Sequence, residues 1–312
     1  MPELPEVETI RRNLEANLLG KTIATLSEST HPRTLRYQVG GIDRLHRDVV
    51  GREISAVVRR GKFLWMEFSG IAQRPSGETE NTEVPEPDSP PALCFHLGMS
   101  GQLRLVEGAS PGLRHERLRF TLSDSQALAY CDQRTFGHVE TRPLAPTADG
   151  YPAGAGTTRA FLPVGLEHIA RDVLDPYLDL ERVFAKFRSS RRAVKTKLLD
   201  QGIVSGIGNI YADEGLFASR IRPFTPAGDL SQREVSRLLE AVAEVMRHAL
   251  EFGGTSFDKL YVNSWGNPGD FASELNVYGR AGKPCHHCGK PLDKIVIDGR
   301  SAVFCSHCEP TA

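Results

Sequence analysis

Within the first twenty residues, apolar side chains fall at Val7, Ile10, Leu14 and Leu18. That three-and-four spacing lays one stripe along a helix. Pro5 fits the helix's first turn, where a missing N–H does no harm, and Gly20 supplies its stop. The period then changes. EISAVVRR, KFLWMEF, ALCFHLGM, GQLRLVE, RLRFTLS and QALAYCD alternate apolar with polar positions, or stay apolar, between turn residues. They predict short antiparallel strands in a sandwich or barrel. From residue 180 the helical period returns, with Leu180, Val183, Phe184 and Phe187 on one face and Val194 with Leu198 continuing it. Ser231 and Glu234 form a capping-box signature. Val235, Leu238, Leu239, Val242, Val245, Met246 and Ala249 then make a long stripe that ends at Gly253 and Gly254. That stripe reads as core.

Between the two regimes, residues 143–163 are rich in Pro, Gly, Ala and Thr and mark a boundary. The expected organisation is α+β with three domains: 1–150, 164–274 and 275–312. Residues 70–92 interrupt the strand series with an acidic Pro/Ser/Glu run that reads as a disordered surface insertion. The insertion changes the meaning of the net charge. The 312 residues sum to -1, but this segment alone carries -4, leaving +3 on the rest. Arg182 to Lys197 then holds seven basic residues and no acid, either a solvated helix face or a contact for a polyanion. Hydrophobic residues at 40% and charged residues at 25% are ordinary for a globular chain, and no run is long enough to span a membrane. Glu3, Glu6 and Glu8 stand where a secretory signal would be basic, so a cytoplasmic protein is expected.

Six cysteines divide into two groups. Cys94 and Cys131 lie in apolar contexts and read as buried small side chains. Cys285, Cys288, Cys305 and Cys308 form two CxxC pairs separated by sixteen residues. Two such knuckles complete a tetrahedral zinc site, structural because protein thiolates fill all four positions. The alternative is two redox or disulfide pairs. Asp298-Gly299 between the knuckles signals a hairpin with a primed turn, which would bring them together. Arg300 at that turn is a natural phosphate contact.

Gly206-Ile-Gly208-Asn209-Ile-Tyr-Ala-Asp-Glu fails the dinucleotide and Walker patterns and has helical periods on both sides. What remains is a tight turn with exposed N–H groups, structural or phosphate-gripping. The basic run upstream favours phosphate. His96-Leu-Gly-Met99 and Asp132-Gln-Arg134-Thr-Phe136-Gly137 would pass as core loops on their own. Beside a DNA-binding finger, Met99 and Phe136 could wedge into a base stack and Arg134 could serve an orphaned base.

Together MPELPEVE, RRGKF, HLGMSG, GIGNIYADE and VYGRAGKPC, followed by the finger, resemble the formamidopyrimidine-DNA glycosylase family. The motifs stand in the family's order from the first residue to the last knuckle. The resemblance implies an N-terminal antiparallel β-sandwich with flanking helices, then a helix–two-turn–helix unit and a four-cysteine zinc finger. It implies a monomeric, nucleoid-associated enzyme that removes oxidised purines from double-stranded DNA and cuts the strand at the abasic site. By the same resemblance Pro2 is the nucleophile, Glu3 its acid/base partner and Glu6 a support. Lys62 lies against phosphate, while His96, Arg134, Lys195, Asn209 and Tyr278 contact DNA or lesion. Arg300 also assists elimination, and Met99, Arg134 and Phe136 fill the emptied place in the stack.

The chemistry is consistent with an N-terminal proline. An α-amino group has a pKa of roughly 7.7 to 8.0, so a useful fraction is unprotonated at neutral pH. The helix dipole behind it and Lys62 beside it disfavour a further positive charge. The nitrogen is free only if Met1 is removed. This chain departs from the family at Thr135, where many relatives carry a second arginine. Two other readings are an endonuclease VIII-like enzyme for oxidised pyrimidines and a non-catalytic zinc-finger protein. The second would not need Pro2, Glu3 and Lys62 together.

Overall fold

Val7, Ile10, Leu14 and Leu18 do form one buried stripe, on helix α1 (Leu4–Leu18), and Gly20 follows it at φ 76°. The computed structural model describes residues 2–28, 32–69, 90–256 and 262–309. Two four-stranded antiparallel sheets pack beside α1. One runs in the order β1 (Ile23–Glu28), β6 (Glu116–Leu122), β7 (Gln126–Asp132), β5 (Gly101–Glu107). The other runs β2 (Glu53–Arg60), β3 (Phe63–Ser69), β4 (Ala92–His96), β8 (His138–Arg142). Alternation decides the faces: Leu64, Met66 and Phe68 of β3 and Leu118, Phe120 and Leu122 of β6 point into one core between the sheets. The six predicted strands are all present. The spacing did not predict β1 or helix α2 (Gly41–Val49). β1 buries only Ile23 fully and therefore shows little alternation.

The boundary stretch 143–163 carries structure of its own: β9 (Leu144–Pro146) pairs with β10 (Phe161–Pro163), and Ala155 exchanges backbone hydrogen bonds with Arg59. Ala153 and Leu162 join Trp65 and Val58 in a small core on the outer face of the second sheet. The acidic insertion lies outside the described residues from 70 to 89, but Ala92, placed in it from sequence, begins β4.

The second core is helical. Asp179 caps α3 (Leu180–Arg188) by accepting the Arg182 N–H, and residues 189–193 separate it from α4 (Val194–Leu198), which the pattern had joined to it. Helix α5 (Asn209–Ser219) follows the glycine turn. Helix α6 (Gln232–Glu251) carries the Ser231/Glu234 capping box and the long apolar stripe, buried as predicted except at Val245, which is half-buried against the same core. Leu4 packs in this core while Val7 and Ile10 pack in the sandwich, so α1 is shared between the two. The hairpin β11 (Asp293–Ile297) and β12 (Arg300–Phe304) closes the chain, and β12 lies against α5. Among the described residues no helix is long and apolar enough to cross a membrane.

Candidate active site

The first residues of the chain lie where all three parts meet. Pro2 and Glu3 are buried, just ahead of α1. Glu3 Oε2 accepts the N–H groups of Gly208 at 2.7 Å and Tyr211 at 3.3 Å, and Oε1 accepts that of Ile210 at 3.0 Å. The free donors at the start of α5 thus hold an anion from the same chain. Gly208 permits the approach, since a Cβ there would stand 2.3 Å from the Glu3 carboxyl carbon. The leaning toward a phosphate grip is therefore corrected: this turn grips Glu3, 205 residues away in sequence. No local pattern could show that.

Glu6 works entirely inside the protein. It accepts the Glu3 N–H at 2.8 Å, the Tyr211 hydroxyl at 2.8 Å and the Thr255 N–H at 2.7 Å. Burial, then repulsion from Glu3, pushes its pKa up.

Lys62 sits in the turn between β2 and β3, and its Nζ donates to the Ile207 carbonyl at 2.8 Å. Burial lowers its pKa, Glu3 opposes that shift, and Arg300 adds to it. Lys62, Glu3 and Arg300 therefore share one electrostatic neighbourhood although Arg300 comes from the far end of the chain. The turn itself is fixed from both sides. Arg59 donates to the Gly61 carbonyl at 3.1 Å, and Asp172 accepts the Gly61 N–H at 3.2 Å. Arg59 also bridges Asp172 at 2.7 Å and Glu8 at 2.8 Å. Burial alone would raise Glu8, but Arg59 and Arg11 outweigh it and bring its pKa down to about 2.

The finger hairpin is docked on the same place. Asp298 and Gly299 have φ of 48° and 77°, as a primed turn requires. Asp298 accepts from Arg192 at 2.9 Å and from the Thr196 hydroxyl at 2.6 Å. Lys195 is not where the resemblance led us to expect it. Its ammonium is buried, donating to Asp213 and to the Ser301 carbonyl, each at 2.5 Å. The other Asp213 oxygen accepts the Val303 N–H at 3.1 Å, so the pair clips β12 to α5. Burial raises Asp213 to about 6. Glu214 accepts three consecutive N–H groups, those of Asn276, Val277 and Tyr278, each at 2.9 Å. Asn209 at the head of α5 reaches Ser301 at 3.5 Å and hydrogen-bonds the Tyr278 side chain.

Asp172, Tyr211, Asp213 and Glu214 were not picked out from sequence. The available signal was two adjacent acids in an otherwise apolar helix, which must find partners if buried.

The four cysteine sulfurs lie within 4.8 Å of one another, with Cys285–Cys308 at 3.9 Å and Cys288–Cys305 at 3.5 Å. A tetrahedral zinc with bonds of about 2.3 Å needs sulfurs about 3.8 Å apart, so one ion fits. Cys94 and Cys131 are buried in the sandwich, and burial pushes the Cys131 thiol up to about 12.

A second constellation forms a rim. The loops 96–99 and 132–137 touch through glycine: at Gly98, φ 59°, a Cβ would lie 2.5 Å from the Gly137 nitrogen. Asp132 accepts the Ser100 hydroxyl at 2.6 Å and the Gly137 N–H at 2.8 Å, and Ser100 accepts the Arg134 N–H at 3.0 Å. On this frame Met99 is 39% and Phe136 47% exposed, with the Arg134 guanidinium 5.0 Å over the Phe136 ring. Thr135 between them has φ 54°, a strained value for a β-branched residue. His96 lies at the foot of the rim, stacked on His138 at 5.0 Å. Burial and then His138 push its pKa down to about 4, so its ring is neutral at physiological pH.

Three family models cover most of the chain. They are the formamidopyrimidine-DNA glycosylase N-terminal domain over residues 1–139, the H2TH domain of the same enzymes over 169–260, and a zinc finger found in FPG and IleRS over 282–310. A formamidopyrimidine-DNA glycosylase of Corynebacterium jeikeium is 43% identical across 99% of this chain and 100% of its own. One from Acidothermus cellulolyticus is 42% identical across 99% and 98%. Among solved structures, Lactococcus lactis Fpg in complex with abasic-site DNA superposes with a TM-score of 0.77 at 28% identity, covering 99% of this chain and 100% of that one.

Proposed function

The chain belongs to the formamidopyrimidine-DNA glycosylase family, and from that premise we propose how its own residues carry out the reaction. It is a base-excision-repair enzyme, a glycosylase for oxidised purines and a lyase at the resulting abasic site, with one structural zinc. Its substrate is double-stranded DNA carrying oxidised bases or abasic sites, and we place its action in the cytoplasm at the nucleoid. Residues 1–150 supply the nucleophile and the wedge, and 164–274 with 275–312 supply the surrounding DNA contacts.

With Met1 removed, the Pro2 nitrogen has a free lone pair. It attacks C1′ of the damaged nucleotide, and the glycosidic bond breaks with its electrons leaving on the base. The sugar ring opens, and loss of its oxygen substituent at C1′ gives an iminium on the proline nitrogen. That positive charge acidifies the C2′ proton. Removal of this proton expels the 3′ phosphate, and a second elimination expels the 5′ phosphate. A carboxylate has about four lone-pair positions, and N–H groups occupy three on Glu3, leaving one on Oε1 to hold or pass a proton. Lys62 and Arg300 are the cations beside it, suited to the phosphates on either side of the lesion. Asn209, Tyr278 and His96 extend that contact as neutral hydrogen-bonding groups. Lys195, held by Asp213, acts by keeping the hairpin and Arg300 in place. Met99, Arg134 and Phe136 enter the stack when the nucleotide leaves it.

The observation that carries this reading is the convergence of Glu3, Lys62 and Arg300 on the chain's own N-terminus. The test is borohydride trapping on duplexes containing 8-oxoguanine or thymine glycol. Met1-free protein should form a covalent adduct on the purine lesion, and protein retaining Met1 should form none. An adduct on thymine glycol alone would favour the pyrimidine-directed reading. An adduct formed with Met1 in place would remove Pro2 from the mechanism.

A further inference from the structure

The rim just described has a support from a segment that none of the motifs includes. Arg36 follows a 3-10 turn at Pro32–Leu35, far in sequence from either rim loop. Its guanidinium donates to the Gly137 carbonyl at 2.7 Å, the Phe136 carbonyl at 2.9 Å and the Thr135 carbonyl at 3.5 Å. It is itself anchored to the Arg33 carbonyl at 2.8 Å, and it lies 3.4 Å from His138 Nδ1. The Tyr37 ring completes the support, edge-on to His138 at 4.7 Å.

We propose that Arg36 is a positioning residue for the wedge: it ties together three successive carbonyls of the 135–137 backbone and so aims Arg134 and Phe136. The proposal rests on the reading of Met99, Arg134 and Phe136 as intercalating residues. The loop has a particular need for such a tie. Thr135 holds a left-handed backbone conformation that a β-branched side chain disfavours, and such a conformation persists only where neighbours over-determine it. Ser100 and Asp132 hold the N–H groups of Arg134 and Gly137, while Arg36 holds the carbonyls of residues 135–137. A planar guanidinium with five donors can serve three carbonyls at once, whereas a lysine ammonium on a flexible stem cannot hold that geometry. Charge alone is therefore insufficient.

The test is Arg36→Lys, which keeps the charge and removes the fork. Single-turnover excision of 8-oxoguanine from duplex DNA should fall on the order of ten-fold, as expected for a misplaced orienting group. Two further measurements separate positioning from other roles. In a Phe136→Ala background, Arg36→Lys should add less than about two-fold, because both changes act through one loop. The salt dependence of binding to undamaged duplex should be unchanged in Arg36→Ala, whereas a direct phosphate contact would lower the slope by about one. Full activity of Arg36→Lys, multiplicative losses with Phe136→Ala, or a lowered salt slope would each overturn the proposal. So would a fall in melting temperature large enough to account for the lost activity. Affinity for a duplex carrying an abasic-site analogue is measured alongside. An inactive wild type then defeats the functional reading, while the affinities still decide the role of Arg36.

Discussion

The N-terminal site and the wedge rim are built on opposite principles. Around Pro2 the buried ionisable groups are partnered inside the protein: Glu3 on α5, Glu6 on Tyr211 and Thr255, Lys62 on Ile207, Arg59 between Glu8 and Asp172. On the rim the backbone is tied down, but the working side chains of Met99, Arg134 and Phe136 face outward, with apolar surface exposed. Bond-breaking needs groups already oriented before substrate arrives, because reorganising charges during the reaction is costly. Intercalation needs surface not yet satisfied, because the stacking it replaces is supplied by DNA. Rigidity is therefore placed in the side chains at one site and in the main chain at the other.

The difference is most sharply broken at Gly208. Gly208→Ala puts a methyl group into the Glu3 carboxylate, and single-turnover excision should fall on the order of 100-fold. The overpacking should also cost about 1–3 kcal/mol, read in denaturant unfolding. A variant with normal rates would show that the seat of Glu3 is only structural. A smaller effect is expected at the rim. Phe136→Ala should slow excision on the order of ten-fold, through loss of the wedge, yet leave stability within about 0.5 kcal/mol, since the ring is exposed. A large loss of stability there would mean that the rim is core.

The smallest effect is one of pH. The folded pKa of Glu8, about 2, lies below its ordinary 4.5. Its contribution to stability is therefore full above pH 4.5 and is lost as pH falls toward 2. Glu8→Gln should lower the melting temperature at neutral pH and flatten the acid slope over that window. An unchanged slope would remove Glu8–Arg59 from the account of acid stability.

Most of the fold was legible because it rests on local periodicity: the six strands, the stripe of α6 with its Ser231 cap, and the Asp298-Gly299 turn. The α3–α4 break was not legible, since Val194 and Leu198 happen to continue the spacing of Phe187. Within the site, residue types were legible from the motifs while their partners were not. Glu3 meets Gly208, Lys62 meets Ile207, and Arg36 meets Phe136, all across long sequence separations that no window spans. Lys195 shows the limit most plainly. A basic run predicts exposure for each member, yet one of the seven turned inward because Asp213 waited there.

The seating of Glu3 on the glycine turn also bears on synthesis. A chain released before residue 206 would carry Pro2 and Glu3 but none of the N–H donors that seat the carboxylate, and no Arg300. On the proposed reading of Pro2 as nucleophile, strand cutting therefore requires a nearly complete polymer.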